Sequence, residues 1–122
     1  MTFRIVYVED DESCFIILRE AMLGIFGNRA ELIWVNNSKM LHGLQNCAHL
    51  LLLDENFPGW ENHLNEAAAT FPKTPKLFYT AELVEKNPGE RYSKDTEGRV
   101  MMINCIWEMI LRHERSAERK AA

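Results

Sequence analysis

The sequence lacks several features that would assign it to a membrane or secreted class. No apolar run approaches the length of a membrane span, and we expect no secretory leader before the strand-like segment that starts at Arg4. The cysteines are odd in number and far apart, at Cys14, Cys47 and Cys105, which argues against a disulfide framework. We therefore expect a cytoplasmic protein with no membrane partner, whose cysteines are reduced and buried.

An excess of basic residues, on which nucleic-acid binding depends, is also missing. The chain has 14 lysines and arginines against 18 acidic residues, a formal net charge of −4. The basic residues near the end alternate with Glu114 and Glu118, as in a solvated helix end. They are Arg112, Arg115, Arg119 and Lys120. We expect no nucleic-acid partner.

What the chain does have is enough apolar sequence for one core. Hydrophobic residues make up 47% of 122 positions, which excludes a disordered protein. No repeat, linker or low-complexity segment divides the chain. This length fits one domain, so we expect residues 1–122 to form a single domain without a separate output domain.

Short apolar runs alternate with segments of helical periodicity. Arg4–Val8 and Leu50–Leu53 are typical of buried strands, and apolar residues recur at helical spacing over Glu12–Phe26. The pattern also predicts strands at Leu32–Val35, Lys76–Tyr79 and, weakly, Arg91–Ser93, with helices at Ser38–Leu44, Trp60–Thr70 and Thr96 to about Arg115. This order predicts an α/β fold whose parallel sheet has helices on both faces.

Charged and hydroxyl side chains stand where the predicted strands end. Glu9 and Asp10 follow the first strand and Asp54 the third, while Thr80 ends the fourth and Lys94 follows the fifth. Ligands bind beyond the carboxyl ends of the strands in such sheets, so we expect these side chains to converge. Clustered carboxylates repel one another unless a cation lies among them, and their oxygens suit Mg²⁺.

This cluster predicts phosphoryl chemistry. A carboxylate held against Mg²⁺ can serve as a nucleophile toward phosphorus and form an aspartyl phosphate. Lys94 would neutralise charge on the phosphoryl oxygens, and Thr80 would donate a hydrogen bond to one of them. Each residue alone has a plainer interpretation, as a turn former, a strand-end hydroxyl or a solvated charge. Their joint placement at successive strand ends favours a functional site.

Four segments resemble, in order, the signatures of response-regulator receiver domains of two-component signal transduction. They are VEDD at 8–11, LLLLDENFPGW at 50–60, FYTAE at 78–82 and YSKD at 92–95. The resemblance covers nearly the whole chain, and Asp54 follows Asp10 by 44 positions, a spacing typical of the family. It implies a three-layer, flavodoxin-like, doubly wound fold with a five-stranded parallel sheet in the order 2-1-3-4-5.

The resemblance also implies a metal site. Glu9 and Asp10 match the family's acidic pair, and Asp54 matches the phospho-acceptor. Asn56 matches the residue whose backbone carbonyl completes the site. The implied cofactor is Mg²⁺, with Asp10, Asp54 and the Asn56 carbonyl as ligands. Glu9 would act through a water molecule.

The remaining matches imply a switch and a set of partners. Thr80, with the small Ala81 behind it, matches the switch hydroxyl, and Lys94 matches the family's lysine. Both would move toward the phosphoryl group and shift a two-state equilibrium. The implied function is a phospho-accepting receiver in a phosphorelay, not an enzyme beyond its own phosphorylation and dephosphorylation. A histidine kinase or histidine phosphotransfer protein would donate to Asp54, and an unknown downstream protein would receive the signal.

The segment between Thr80 and Lys94 departs from the family pattern. It spans 14 positions, which is short for a receiver, so we expect a reduced fourth helix over Ala81–Lys86. Arg91 stands where the family has an aromatic residue, and Asp95 where it prefers proline, often after a cis peptide bond. These changes fall on the surface that reports phosphorylation in the family, which indicates output by another face.

The last helix is the candidate for that other face. Its apolar residues are expected mainly to pack in the core, but any that face outward would form a dimer or partner surface. They are Met101, Met102, Ile103, Ile106 and Trp107.

Other functions are less well supported. A pseudo-receiver adaptor, which binds partners without phosphorylation, is favoured by the short segment after Thr80 and disfavoured by the complete acidic site. A flavodoxin-like cofactor binder needs a phosphate-cradling loop where this chain has Glu9–Glu12, and a haloacid-dehalogenase-type phosphatase needs a different aspartate spacing there. A zinc enzyme is disfavoured because the histidines, His42, His49, His63 and His113, show no ligand spacing. No helix-turn-helix is predicted.

Overall fold

The structure is a computed structural model, which describes residues 2–44, 48–55, 60–81 and 90–121. Its strands are β1 (Phe3–Val8), β2 (Ala30–Val35), β3 (Leu50–Leu53), β4 (Lys76–Thr80) and β5 (Glu90–Ser93). Its α-helices are α1 (Glu12–Phe26), α2 (Trp60–Thr70) and α3 (Thr96–Ala121), with 3₁₀ helices at Gly27–Arg29 and Ser38–Leu44. The predicted alternation of strands and helices is therefore confirmed over the described residues.

The five strands form one parallel sheet in the order β2-β1-β3-β4-β5. Val8 is level with Val35 on one side and with Leu53 on the other, so β1, β2 and β3 end at the same height. Thr80 is level with Ser93, which fixes the register of the polar strand β5. The predicted doubly wound fold and strand order are confirmed.

Two apolar clusters lie on opposite faces of the sheet. Helices α1 and α3 cover one face, where Tyr7 and Leu52 point, and α2 with the second 3₁₀ helix covers the other, where Val8 and Leu53 point. Because β3 is buried on both faces, a continuous run of leucines is what its position requires. The result is the expected three-layer arrangement.

Helix α1 begins at a cap that the sequence offers directly. The Asp11 carboxylate accepts hydrogen bonds from the Ser13 backbone N–H at 2.9 Å and from the Ser13 hydroxyl at 2.7 Å. At its other end Gly27 adopts a positive φ of 58°, which glycine tolerates better than other residues. The predicted bounds of α1 are confirmed at both ends.

Helix α3 is longer than predicted, since it runs to Ala121 instead of ending near Arg115. Arg29 anchors its second half by pairing with both carboxylate oxygens of Glu114, at 2.7 Å each. The Arg29 guanidinium also lies 4.5 Å from the centre of the Trp107 ring. The charged tail carries no stop signal, so helical propensity continues the helix.

The apolar residues of α3 divide between the core and the surface. Met102, Ile103 and Ile106 are buried, whereas Met101 is 56% exposed and Trp107 is partly buried. Core packing is therefore the wrong interpretation for Met101. The expectation of a dimer or partner surface on this helix stays a prediction.

The predicted burial of the cysteines is corrected, whereas the predicted helix at Ser38–Leu44 is present. Cys14 and Cys105 are free, as predicted, but they are only partly buried because each lies beside polar groups at the margin of the core. The Ser38–Leu44 helix is of the 3₁₀ type, and the Asn37 side chain caps it by accepting the Lys39 N–H at 3.0 Å. Cys47, and the reduced helix predicted between Ala81 and Lys86 beyond its first residue, lie outside the described residues. Among the helices that the structure describes, none is both long and apolar enough to cross a membrane.

Candidate acidic site at the carboxyl edge of the sheet

The site begins with the backbone just beyond β1 and β3. The Glu9 N–H donates to the Val35 carbonyl at 3.0 Å, and the Asp54 N–H donates to the Val8 carbonyl at 3.2 Å. The sheet ladder thus continues one residue past each strand and holds Glu9 and Asp54 side by side. One carboxylate oxygen from each of Glu9, Asp10 and Asp54 lies within 4.8 Å of the other two. The predicted convergence of these three acids is present.

Lys94 brings a positive charge into this acidic group. Its ammonium nitrogen donates to Asp54 Oδ2 at 2.9 Å and also to Glu9 Oε2. The Lys94 backbone N–H donates to the Thr80 carbonyl at 3.1 Å. This hydrogen bond to the end of β4 fixes the backbone of Lys94, the first residue after β5. The Lys94–Asp95 peptide bond is trans. The structure thus brings Lys94 together with Glu9 and Asp54, while its role stays a prediction.

Of the two remaining predicted site residues, the structure describes Thr80 but not Asn56. Thr80 closes β4 and is completely buried, while the following Ala81 is exposed. Asn56 lies outside the described residues, so its predicted carbonyl ligand remains a prediction. Asp10 is exposed, whereas Glu9 and Asp54 are buried. The acidic group therefore opens to solvent on the side of Asp10.

Glu9 is held by contacts that the sequence did not reveal. The Tyr7 hydroxyl donates to Glu9 Oε2 at 2.9 Å, and the Asp11 backbone N–H donates to Oε1 at 3.1 Å. The Trp34 indole N–H donates to the Glu9 backbone carbonyl at 2.8 Å. One signal was visible in advance, since Tyr7 lies two positions before Glu9 and alternation along a strand puts both on the same face. The approach of Trp34 required the tertiary structure.

Burial and pairing shift the ionisation of this group. Burial raises the pKa of Glu9 to about 7, against the opposing effect of its hydrogen bond to Lys94. Burial alone would lower the pKa of Lys94, but its hydrogen bonds to Glu9 and Asp54 outweigh burial and raise that pKa. Burial, with the nearby charge of Glu9, holds the pKa of Tyr7 far above its ordinary range. Tyr7 is therefore a neutral phenol that donates a hydrogen bond to Glu9.

A second ion pair involves Glu55, the residue that follows Asp54 in the sequence. The Arg91 guanidinium contacts both oxygens of Glu55, at 2.7 and 3.1 Å. Both side chains are almost fully buried, and Arg91 lies 4.5 Å from the centre of the Phe78 ring. The resemblance implies an aromatic residue at position 91, and the pairing of Arg91 with Glu55 was not predicted.

Comparison with known proteins finds similarity in structure but not in sequence. No family model matches the chain, and no curated protein matches it. The phosphorylated cyanobacterial phytochrome response regulator RcpA matches with a TM-score of 0.69 and 18% identity, over 91% of this chain and 95% of that chain. A CheY-like receiver domain protein from Methanospirillum hungatei JF-1 matches with a TM-score of 0.69 and 19% identity, over 95% and 99%.

A third similar structure is relevant to metal binding. The receiver domain of the sensor histidine kinase PA1611 from Pseudomonas aeruginosa PAO1 matches with a TM-score of 0.68 and 17% identity, over 90% of this chain and 98% of that chain. That structure has a magnesium ion coordinated in its active-site cleft. The fold of the present chain is that of the response-regulator receiver domains, and its acidic group has hard oxygen donors close enough together to bind a divalent cation.

Proposed function

We propose that this chain is a phospho-accepting receiver of a two-component phosphorelay, with Asp54 as the acceptor. The observation that carries the proposal is the contact of Lys94 with Asp54, beside Glu9 and Asp10, at the carboxyl edge of a receiver fold. Buried carboxylates beside a lysine are the groups that phosphoryl transfer to an aspartate requires. The donor would be a histidine kinase or a phosphotransfer protein in the cytoplasm.

In this proposal the chain supplies the nucleophile and the groups that stabilise the transferred charge. An Asp54 oxygen attacks the phosphorus of a phosphohistidine, a new O–P bond forms, the P–N bond breaks, and the released imidazole takes up a proton from solvent. Lys94, already 2.9 Å from Asp54 Oδ2, stabilises the negative charge of the phosphoryl oxygens. Thr80 donates a hydrogen bond to one of those oxygens.

The residues fit the cofactor that the fold family implies. Asp10, Asp54 and the Asn56 carbonyl would hold Mg²⁺, with Glu9 acting through water. When bound, the metal would supply further neutralisation of phosphoryl charge. The protein's own part is to hold three carboxylates within reach of one cation and to keep Lys94 beside them.

Binding of beryllofluoride, a phosphoryl mimic, tests this function without a cognate kinase. We expect Mg²⁺-dependent binding, seen by fluorine NMR, in the wild type and none in Asp54→Asn. Glu118→Gln is the control, because it makes the same acid-to-amide change at an exposed position near the C-terminal end of α3. Failure of the wild type to bind would overturn the proposal and favour a phosphorylation-independent pseudo-receiver adaptor.

A further inference from the structure

Tyr7 carries a hydroxyl into a mostly apolar part of the core. It is completely buried in the cluster beneath α1 and α3, between Trp34 on β2 and Leu52 on β3. A buried hydroxyl is costly unless it makes a hydrogen bond. The Tyr7 hydroxyl meets that requirement by donating to Glu9 Oε2 at 2.9 Å. A phenylalanine would fill the same space without this contact, so the hydroxyl itself calls for an explanation.

The Tyr7 hydrogen bond goes to the Glu9 oxygen that also accepts from Lys94. Glu9 Oε2 accepts from both Tyr7 and Lys94, while Oε1 accepts the Asp11 N–H. Tyr7 therefore helps fix the rotation of the Glu9 carboxylate and the point at which Lys94 meets it. Lys94 also contacts Asp54. A shift of Glu9 therefore changes the distances from the Lys94 ammonium to the Glu9 and Asp54 carboxylates.

We propose that Tyr7 is a positioning residue, whose hydroxyl holds the Glu9 carboxylate in place so that Glu9, acting through water, would help Asp10 and Asp54 bind a divalent cation. This inference rests on the proposed function and deepens it. Partners that orient the groups of a metal site commonly change metal affinity by about 10-fold to 100-fold when removed. Tyr7 contacts neither Asp54 nor Lys94 directly, so its main effect is expected on metal affinity, with only a small effect on the transfer step through Lys94.

The chain offers a matched control in Tyr79. Its ring centre lies 6.1 Å from that of Tyr7, it is also buried in the same cluster, and it stands on β4. Tyr79→Phe removes the same atom from the same part of the core without touching Glu9. A general effect of losing a core hydroxyl would therefore appear in both variants, whereas an effect through Glu9 would appear only in Tyr7→Phe.

The test is a calorimetric titration of Mg²⁺ into wild type, Tyr7→Phe and Tyr79→Phe, with phosphorylation by acetyl phosphate then measured at saturating Mg²⁺. We expect an increase of about 10-fold in the Mg²⁺ Kd of Tyr7→Phe, an unchanged Kd in Tyr79→Phe, and nearly equal phosphorylation rates at saturation. In a Glu9→Gln background, Tyr7→Phe should have little further effect on Kd.

The outcomes separate the positioning role of Tyr7 from the proposed function. Equal Mg²⁺ affinity in the wild type and Tyr7→Phe overturns the positioning role but leaves the proposed function standing. An equal loss in both tyrosine variants also overturns it, because the cause would then be general core packing. Lack of Mg²⁺ binding in the wild type overturns the metal site itself, and with it both proposals.

Discussion

Arg91 and Glu55 form an ion pair with almost no contact with solvent. Their side chains are 8% and 4% exposed, and two hydrogen bonds join them. Removing two charges from water costs several kcal/mol, which good geometry and neighbouring groups must offset. Phe78 contributes by placing its ring against the guanidinium. The pair thus ties the polar edge strand β5 to the residue that directly follows Asp54.

We expect Arg91→Met to lower the free energy of unfolding by about 3–5 kcal/mol, because it leaves a buried carboxylate without its guanidinium. Urea denaturation measures the change. The double variant Arg91→Met/Glu55→Leu should regain most of the loss, since apolar residues of similar volume often replace buried ion pairs at little cost. If the double variant is no more stable than Arg91→Met, the stability lost in Arg91→Met does not come from the unpaired charge of Glu55.

At the scale of elements, Gly98 joins α3 to β5. A Cβ atom at this position would lie 2.2 Å from the Ser93 carbonyl oxygen, so the first turn of α3 rests directly on the end of the strand. The Gly98 N–H also donates to the Asp95 carboxylate, which in turn accepts the Ser93 hydroxyl at 2.8 Å. This contact sets where α3 starts and, through the same turn, where Lys94 stands.

Gly98→Ala should therefore destabilise the fold by about 1–3 kcal/mol, since backbone atoms must shift to admit the methyl group. Gly24→Ala in α1 is the control, because no atom lies within 4 Å of its added Cβ and alanine favours a helix by about 0.5–1 kcal/mol. Thermal unfolding of the two variants should give shifts of opposite sign. Two shifts of the same sign would contradict the close packing of α3 on β5.

Histidines connect α3 to the opposite, amino edge of the sheet. The Arg4 backbone N–H donates to His49 Nδ1 at 2.8 Å, so that nitrogen is unprotonated in the folded protein. The ring centre of His113 lies 4.3 Å from that of His49, and His113 Nε2 is buried without a hydrogen-bond partner among the described residues. Burial, together with the charges of His113 and Arg4, lowers the pKa of His49.

This shift predicts a loss of stability in mild acid. The pKa of His49 is lower in the folded than in the unfolded chain, so its stabilising contribution is complete above the ordinary value of about 6.5 and is lost as the pH falls below it toward the folded value. Denaturant titrations between about pH 7 and pH 5 should show a shallower pH dependence in His49→Gln than in the wild type. An identical slope in the two proteins would contradict the assignment.

The elements themselves were largely predictable, for reasons that differ along the chain. The bounds of α1 and β3 follow from a strong cap and a run of leucines. The strand β2 starts earlier than predicted, at Ala30, because its pairing with β1 continues where no local signal marks a strand. Polar β5 gave only a weak prediction, since its place at the sheet edge comes from pairing with β4.

At the scale of the whole molecule, the sheet explains why the acidic site could be predicted and its supports could not. Residues that follow parallel strands meet at one edge, so the convergence of Glu9, Asp54 and Lys94 follows from strand order alone. Trp34 and the Glu55–Arg91 pair join residues far apart in sequence whose contact depends on side-chain packing. No local pattern encodes such contacts.

The most direct test of the account is chemical identification of the phosphorylated residue. The chain is treated with acetyl phosphate and Mg²⁺, and the product is reduced with borohydride, which converts an aspartyl phosphate to homoserine that peptide mass spectrometry can locate. We expect homoserine at position 54 in the wild type, none without Mg²⁺, and none in Asp54→Asn. Homoserine at another position, or none in the wild type, would contradict the claim that Asp54 is the acceptor.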